Sequence, residues 1–131
     1  MTKRILVIDD EEAIRMSFTY SLEDTGYGVD TAATGREGIE MAGITRYDLV
    51  FLDLKMPGMN GVETLRELRK KHKNVPIYII TAFHLEFLDQ LKKAQKEGIE
   101  FELLKKPIGS SDIVHVVRSI LEGPLYQSTA T

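Results

Sequence analysis

The chain has 131 residues, a formal charge of −3, a pI near 5.6 and no cysteine. That length supports one domain, burying roughly two thirds of the surface its unfolded form exposes, and leaves no room for a second. The mild acidity offers no broad basic surface for nucleic acid or an anionic membrane, and without thiols there is neither a disulfide framework nor a thiolate metal site.

Residues 1–20 hold one basic pair, Lys3-Arg4, and four consecutive aliphatics before Asp9. That is too short for a signal-peptide core or a membrane span, so a soluble cytoplasmic protein is expected. The first strand is predicted over Arg4–Ile8 and runs into Asp9 and Asp10. A helix follows over Glu12–Thr25, with Ile14, Phe18 and Leu22 at helical spacing, and stops at Gly26. Gly28–Ala32 reads as a weak, mixed strand, suited to a sheet edge. Leu49–Leu52 is a nearly continuous apolar strand that runs into Asp53, after which Pro57, Gly58 and Gly61 turn the chain sharply. Gly61–Lys71 is helical, with Val62, Leu65 and Leu68 inward. Ile77–Ile80 forms another apolar strand and runs into Thr81. Leu85–Glu97 carries Leu85, Leu88 and Leu91 on its predicted inner face. Glu102–Lys105 is the last strand, ahead of Lys106-Pro107, and Ser110–Leu121 the last helix, with Ile113, Val116, Val117, Ile120 and Leu121 toward the sheet. Gly123-Pro124 ends it. With one more helix counted between the second and third strands, five strands alternate with five helices, the pattern of βα units on a parallel sheet, in a domain over 1–123 with a mobile tail over 124–131.

Parallel strands put their C-terminal ends on one edge, and that edge collects matched chemistry: Asp9 and Asp10, Asp53, Thr81 and Lys106. Two carboxylates about 4 Å apart at an effective dielectric near 20 repel by roughly 4 kcal/mol, so three together call for a cation. Oxygen-only ligands, few of them from protein, suit Mg2+. Read alone, Asp9 to Glu12 would simply charge the first turn of a helix. Read alone, Asp53 is a loop aspartate, Thr81 a strand end and Lys106 a residue before proline. Together, a phosphorylated Asp53 would find in Thr81 a hydroxyl donor and in Lys106 a point-charge ammonium.

VIDDEE, LDLKMPGMNG, IITA and KKP carry a specific resemblance. Over about residues 3–122 the chain resembles the receiver domains of two-component response regulators, of the chemotaxis and sporulation-relay kind. The resemblance implies an α/β, flavodoxin-like, doubly wound five-stranded parallel sheet of order 2-1-3-4-5 with five helices; a member of this family is itself the standard example of that order. It implies that Asp53 is the phosphoacceptor, that Asp10, Asp53 and the backbone carbonyl of Lys55 bind Mg2+, and that Asp9 assists through water. Thr81 and Lys106 become the switch hydroxyl and the phosphoryl-binding lysine, and the Lys106–Pro107 peptide is expected to be cis. The implied donor is a phosphohistidine on a sensor histidine kinase or histidine phosphotransfer protein, docking along the first helix near Ile14, a residue that periodicity alone reads as core. The face made by the fourth helix, fifth strand and fifth helix is the implied surface for an output partner or a homodimer.

Leu103 departs from the family, which often places a switch aromatic there; Phe101, two residues earlier, is not at the matching position. Lys55 and Phe83, two residues beyond the acceptor and the switch threonine, are expected to tune the lifetime of the phosphoryl group. Lys55 also stands where, by resemblance, an aspartyl-nucleophile phosphatase needs a second aspartate, which counts against an enzyme. The other rival, a phosphorylation-independent interaction module, commonly lacks one of the acids, the threonine or the lysine. No GxxxxGK[ST] loop is present and TGREG is no nucleotide fingerprint, so ATP is not the expected donor. His72, His84 and His115 are too far apart for a local metal motif and read as surface residues. With only about ten residues after the last helix, no DNA-binding or ATPase output domain is expected on this chain.

Overall fold

The computed structural model describes residues 2–82 and 85–123; Phe83, His84 and the predicted tail over 124–131 lie outside the described residues. Strands β1 (Arg4–Ile8), β2 (Gly28–Ala32), β3 (Leu49–Asp53), β4 (Ile77–Thr81) and β5 (Glu102–Lys105) alternate with helices α1 (Glu12–Leu22), α2 (Gly35–Ile44), α3 (Gly61–Lys71), α4 (Leu88–Lys96) and α5 (Ser110–Glu122). The sheet is parallel throughout, in the order β2-β1-β3-β4-β5. The expected order therefore holds, and the mixed β2 is an edge.

Side chains alternate across each strand, so an apolar run feeds two cores at once. Leu6, Ile8, Val50, Leu52, Ile77 and Ile79 pack with Val62, Leu65, Leu68 and Leu91 beneath α2, α3 and α4. Ile5, Val7, Leu49, Phe51 and Ile80 pack on the other face with Phe18, Leu22, Ile113 and Val117 of α1 and α5. The Phe18 and Phe51 rings lie 4.8 Å apart, tilted at 45°. Each fully buried large apolar side chain stabilises the fold by about 1.5–3 kcal/mol, which is why β1, β3 and β4 read as almost unbroken hydrophobic sequence.

Local chemistry sets the helix ends. Asn60 and Glu63 exchange side-chain-to-backbone hydrogen bonds of 2.9 Å across the first turn of α3, a capping box worth about 1 kcal/mol. Thr34 caps α2 by accepting from the Glu37 N–H, so TGREG is a helix start.

Two sequence expectations need correction. α1 ends at Leu22 and not Thr25, because the Thr25 hydroxyl and N–H both turn back onto the Leu22 carbonyl, and Gly26 at φ +86° redirects the chain. Leu85 and Leu88 are not buried with Leu91: they are 79% and 44% exposed, and only Leu91 and Ala94 of α4 are buried. Leu85–Phe87 forms a 3-10 turn, in which side chains three apart eclipse, so Leu85 stays on the side of Leu88, and both rim an open cavity shared with Leu91 instead of filling the core.

Candidate functional site

β1, β3 and β4 are neighbours and parallel, so their last residues meet above the same edge. Asp9 follows Ile8 directly and is fully buried, whereas Asp10 is exposed at the rim. Asp53 and Thr81 are themselves the final residues of β3 and β4, one residue further than their sequence reading, and are 3% and 6% exposed. The next strand, β5, ends at Lys105, and Lys106 reaches back over the sheet, its N–H donating to the Thr81 carbonyl at 2.8 Å. The Lys106–Pro107 peptide is cis, as expected.

A loop that returns on itself presents Asp53. The Gly61 N–H donates to the Leu54 carbonyl at 2.8 Å, closing residues 54–61 into a compact turn with Gly58 at φ +75°. A Cβ at position 61 would overlap the Asp53 carbonyl oxygen and stand 2.7 Å from the Leu54 Cα. Only glycine lets α3 begin this close to the acid. Met56 anchors the turn by burying its side chain in the core. The resulting cleft, about 480 Å3, is lined by Asp10, Glu11, Asp53, Lys55, Met56, Pro57, Ala82 and Lys106.

Carboxylate oxygens of Asp9, Asp10 and Asp53 all lie within 4.8 Å of one another. The Lys106 ammonium donates to Asp53 Oδ1 at 3.2 Å and lies 3.3 Å from Asp9 Oδ2 and 3.6 Å from Glu11 Oε1. One cation thus serves three acids while a fourth, Asp10, stands at the rim. Burial foremost, then the Asp9 carboxylate, pushes the Asp53 carboxyl up to about 7 against the pull of Lys106. Burial also raises Asp9, opposed by the Glu11 N–H, which donates to its Oδ1 at 2.9 Å, and by Lys106. Burial works to lower Lys106, but the facing Asp53 and Asp9 carboxylates outweigh it and the ammonium is held above its usual range. The site is therefore short of positive charge.

The residues fit a hard divalent cation. All donors are carboxylate oxygens, and Asp9 Oδ2 is buried with no hydrogen-bond partner among the described residues, only the Lys106 ammonium 3.3 Å away, an arrangement that a cation or one of its waters would satisfy.

The structure thus brings together Asp9, Asp10, Asp53 and Lys106, with Thr81 at the end of the strand next to Asp53. Lys55 sits beside them, but its ammonium turns to Glu86 Oε1 in the 3-10 turn, 3.2 Å away, with both side chains more than half exposed. Leu103 is on β5 and not in the cleft; at 52% exposure it lines a separate apolar cavity of about 280 Å3 with Leu54, Thr81, Leu85, Leu88, Leu91, Leu104 and Lys105. Thr81 walls that cavity and the next residue, Ala82, walls the acid cleft. Ile14 is half-buried against the α1/α5 core, in keeping with its periodicity. Sequence reasoning missed Glu11 as a neighbour of Lys106, although it directly follows the acid pair. It also missed Arg15, whose Nη1 donates to the Asp9 carbonyl at 2.7 Å.

Residues 5–118 match the response regulator receiver domain family. The chain is 36% identical over 124 residues to the alkaline phosphatase synthesis transcriptional regulatory protein PhoP of Bacillus subtilis, covering 92% of this chain and 49% of PhoP. It is 34% identical over 121 residues to the response regulator MprA of Mycolicibacterium vanbaalenii, covering 92% of this chain and 51% of that one. It spans about half the length of these curated relatives. Among solved structures, chemotaxis protein CheY4 of Vibrio cholerae superposes with a TM-score of 0.80 at 28% identity, over 92% of this chain and 100% of that one. TrrA of Thermotoga maritima, solved in complex with Mg(2+)-BeF, gives a TM-score of 0.75 at 34% identity, over 92% and 100%.

Proposed function

The chain belongs to the response regulator receiver domain family, and from that premise we propose that Asp53 is its phosphoacceptor in Mg2+-dependent transfer from a phosphohistidine partner. A single observation carries the reading: Asp53, nearly buried, shares the Lys106 ammonium with Asp9 inside a cluster of three carboxylates. Asp10, Asp53 and the Lys55 carbonyl are the groups we assign to the metal, with Asp9 acting through water. When bound, Mg2+ neutralises phosphoryl oxygens and the crowded acids together.

An Asp53 carboxylate oxygen forms the new bond to phosphorus while the phosphorus–nitrogen bond of the donor histidine breaks and its electron pair stays on the imidazole. Lys106, already 3.2 Å from Asp53, needs little movement to meet a phosphoryl oxygen. Thr81 donates its hydroxyl to another. Later attack by water releases inorganic phosphate and restores the carboxylate, and the domain does no further chemistry; Lys55, in the place of a phosphatase's second aspartate, supports that. That TrrA, a similar chain, was solved with Mg(2+)-BeF supports the metal. No described helix is long and apolar enough to cross a membrane, and we place the protein in the cytoplasm.

Signal leaves by the α4-β5-α5 face. Thr81 walls an apolar cavity rimmed by the exposed Leu85, Leu88 and Leu103, so a shift at the phosphoryl group is felt where an output partner or second copy would bind. The test is acetyl phosphate with Mg2+, read by intact mass. Wild type should gain one phosphoryl group and Asp53→Asn none; labelling of that variant at the wild-type rate would move the acceptor elsewhere, and an unlabelled wild type would favour a phosphorylation-independent module.

A further inference from the structure

We propose that Arg15, on the first full turn of α1, is a positioning residue for the metal site, acting on the peptide that joins its two N-terminal aspartates. The inference rests on the proposed function, since it concerns how Asp10 is held toward Mg2+.

The β1–α1 turn is short of ordinary support. Glu11, the residue before α1, makes no side-chain capping bond. Besides the Lys106 ammonium beside Asp9 Oδ2 and Glu11 Oε1, and the Ile14 and Arg15 amides on the Glu11 carbonyl, three hydrogen bonds hold the turn: the Asp9 N–H donates to the Ala32 carbonyl at 3.0 Å, the Glu11 N–H to Asp9 Oδ1 at 2.9 Å, and Arg15 Nη1 to the Asp9 carbonyl at 2.7 Å. The first ends the β1 ladder. The second uses one oxygen of a carboxylate whose other oxygen is buried beside the Lys106 ammonium and has no hydrogen-bond partner among the described residues. The third is the only one of the three to hold the Asp9 carbonyl, and it comes from a half-buried residue one helical turn away.

The Asp9 carbonyl and the Asp10 N–H share one rigid plane. Fixing that carbonyl fixes the plane, and with it the direction in which Asp10 leaves the backbone. Asp10 is the exposed member of the cluster and lacks the burial that holds Asp9 and Asp53. Releasing the plane would therefore cost Asp10 its orientation first, and a ligand that must be oriented at each binding event binds less tightly.

Charge argues the other way, which makes the idea testable. A guanidinium this near the cluster repels a divalent cation, so if its charge outweighed its orienting role, removing it would tighten Mg2+ binding. Outer-shell partners of metal ligands typically contribute 10–100-fold in affinity; Arg15 acts through the backbone and not on the ligand itself, so a loss of about 3–10-fold is expected.

The experiment is a Mg2+ titration of 15N-labelled, unphosphorylated protein followed by amide shifts, on wild type, Arg15→Met and Arg15→Lys. Met keeps the aliphatic stem and its packing but loses donor and charge; Lys keeps a donor and the charge. The expected result is weaker binding for Arg15→Met, recovery to within about twofold of wild type for Arg15→Lys, and faster hydrogen exchange at the Glu11 amide in metal-free Arg15→Met. Should Arg15→Met not fold, Arg15→Gln, which keeps a polar head too short to reach Asp9, takes its place. Unchanged or tighter binding without the donor would overturn the inference and leave the phosphoacceptor assignment standing. A wild type that binds no Mg2+ would instead bring down the proposed function.

Discussion

Replacing Asp53 by Asn should stabilise the metal-free protein, and should do so only where Asp53 would be ionised. Burial and the Asp9 carboxylate disfavour the anion and push the Asp53 carboxyl up to about 7 in the fold against an ordinary 3.8. Between those values the native chain holds a proton that the unfolded chain has lost. Stability therefore falls as pH rises through that window, and the penalty is complete above 7. At about 1.4 kcal/mol per unit the ceiling is on the order of 4 kcal/mol, before Asp9 and Lys106 relax around the change. Asn has nearly the same shape and no charge, so it removes the penalty while still offering Lys106 a carbonyl oxygen. The expected gain is about 2 kcal/mol at pH 8, or roughly 5–10 °C in a domain of this size, falling to under about 1 kcal/mol at pH 5 and to zero only below the ordinary carboxylate range. Thermal and urea unfolding followed by circular dichroism in EDTA, at both pH values, measures it. A gain of equal size at both pH values would show that ionisation is not its source, and a loss at pH 8 would show that Lys106 balances the acids better than its distances indicate.

Asp10→Ala should abolish Mg2+ binding, seen as loss of the Mg2+-induced rise in Tm, while metal-free Tm stays level or rises; clear destabilisation without metal would mean that Asp10 mainly supports α1. Lys55→Ala breaks an exposed ion pair with Glu86 and should cost under about 1 kcal/mol by urea unfolding, yet shorten the phosphoryl lifetime read by timed intact-mass measurements, more so when combined with Phe83→Gly. With beryllofluoride bound, structures should show the backbone after Thr81 and the 3-10 turn displaced while Leu103 keeps its χ1 well; the reverse would place the switch on β5.

Much of this was legible because strand ends are where sequence and chemistry coincide. β1, β2 and β5 begin and end where their composition placed them, and the parallel order carries Asp9, Asp53, Thr81 and Lys106 to one edge with no local motif joining them. The exposure of Leu85 and Leu88 was illegible because their spacing does put them on one side with Leu91, and what leaves them uncovered is an open cavity beside β5 that no periodicity encodes. Arg15 was hidden for another reason. Its partner is a backbone carbonyl, which every residue has, so nothing in the composition of the β1–α1 turn announces the bond. The Lys55–Glu86 pair spans two loops whose separation no periodicity encodes.

The sharing of one sheet face by α1 and α5 has a consequence for how the polypeptide is made. The face under α2, α3 and α4 draws its helices from the middle of the chain and can close while the C-terminal part is still being synthesised. The opposite face cannot: Phe51 and Ile80 stay half-covered by Phe18 and Leu22 until Ile113 and Val117 arrive, after which Ser110 reaches Ser21 and Glu122 reaches the Tyr27 hydroxyl. A nascent chain therefore carries an open apolar face through most of translation, and any truncation before α5 leaves that face for other chains to find.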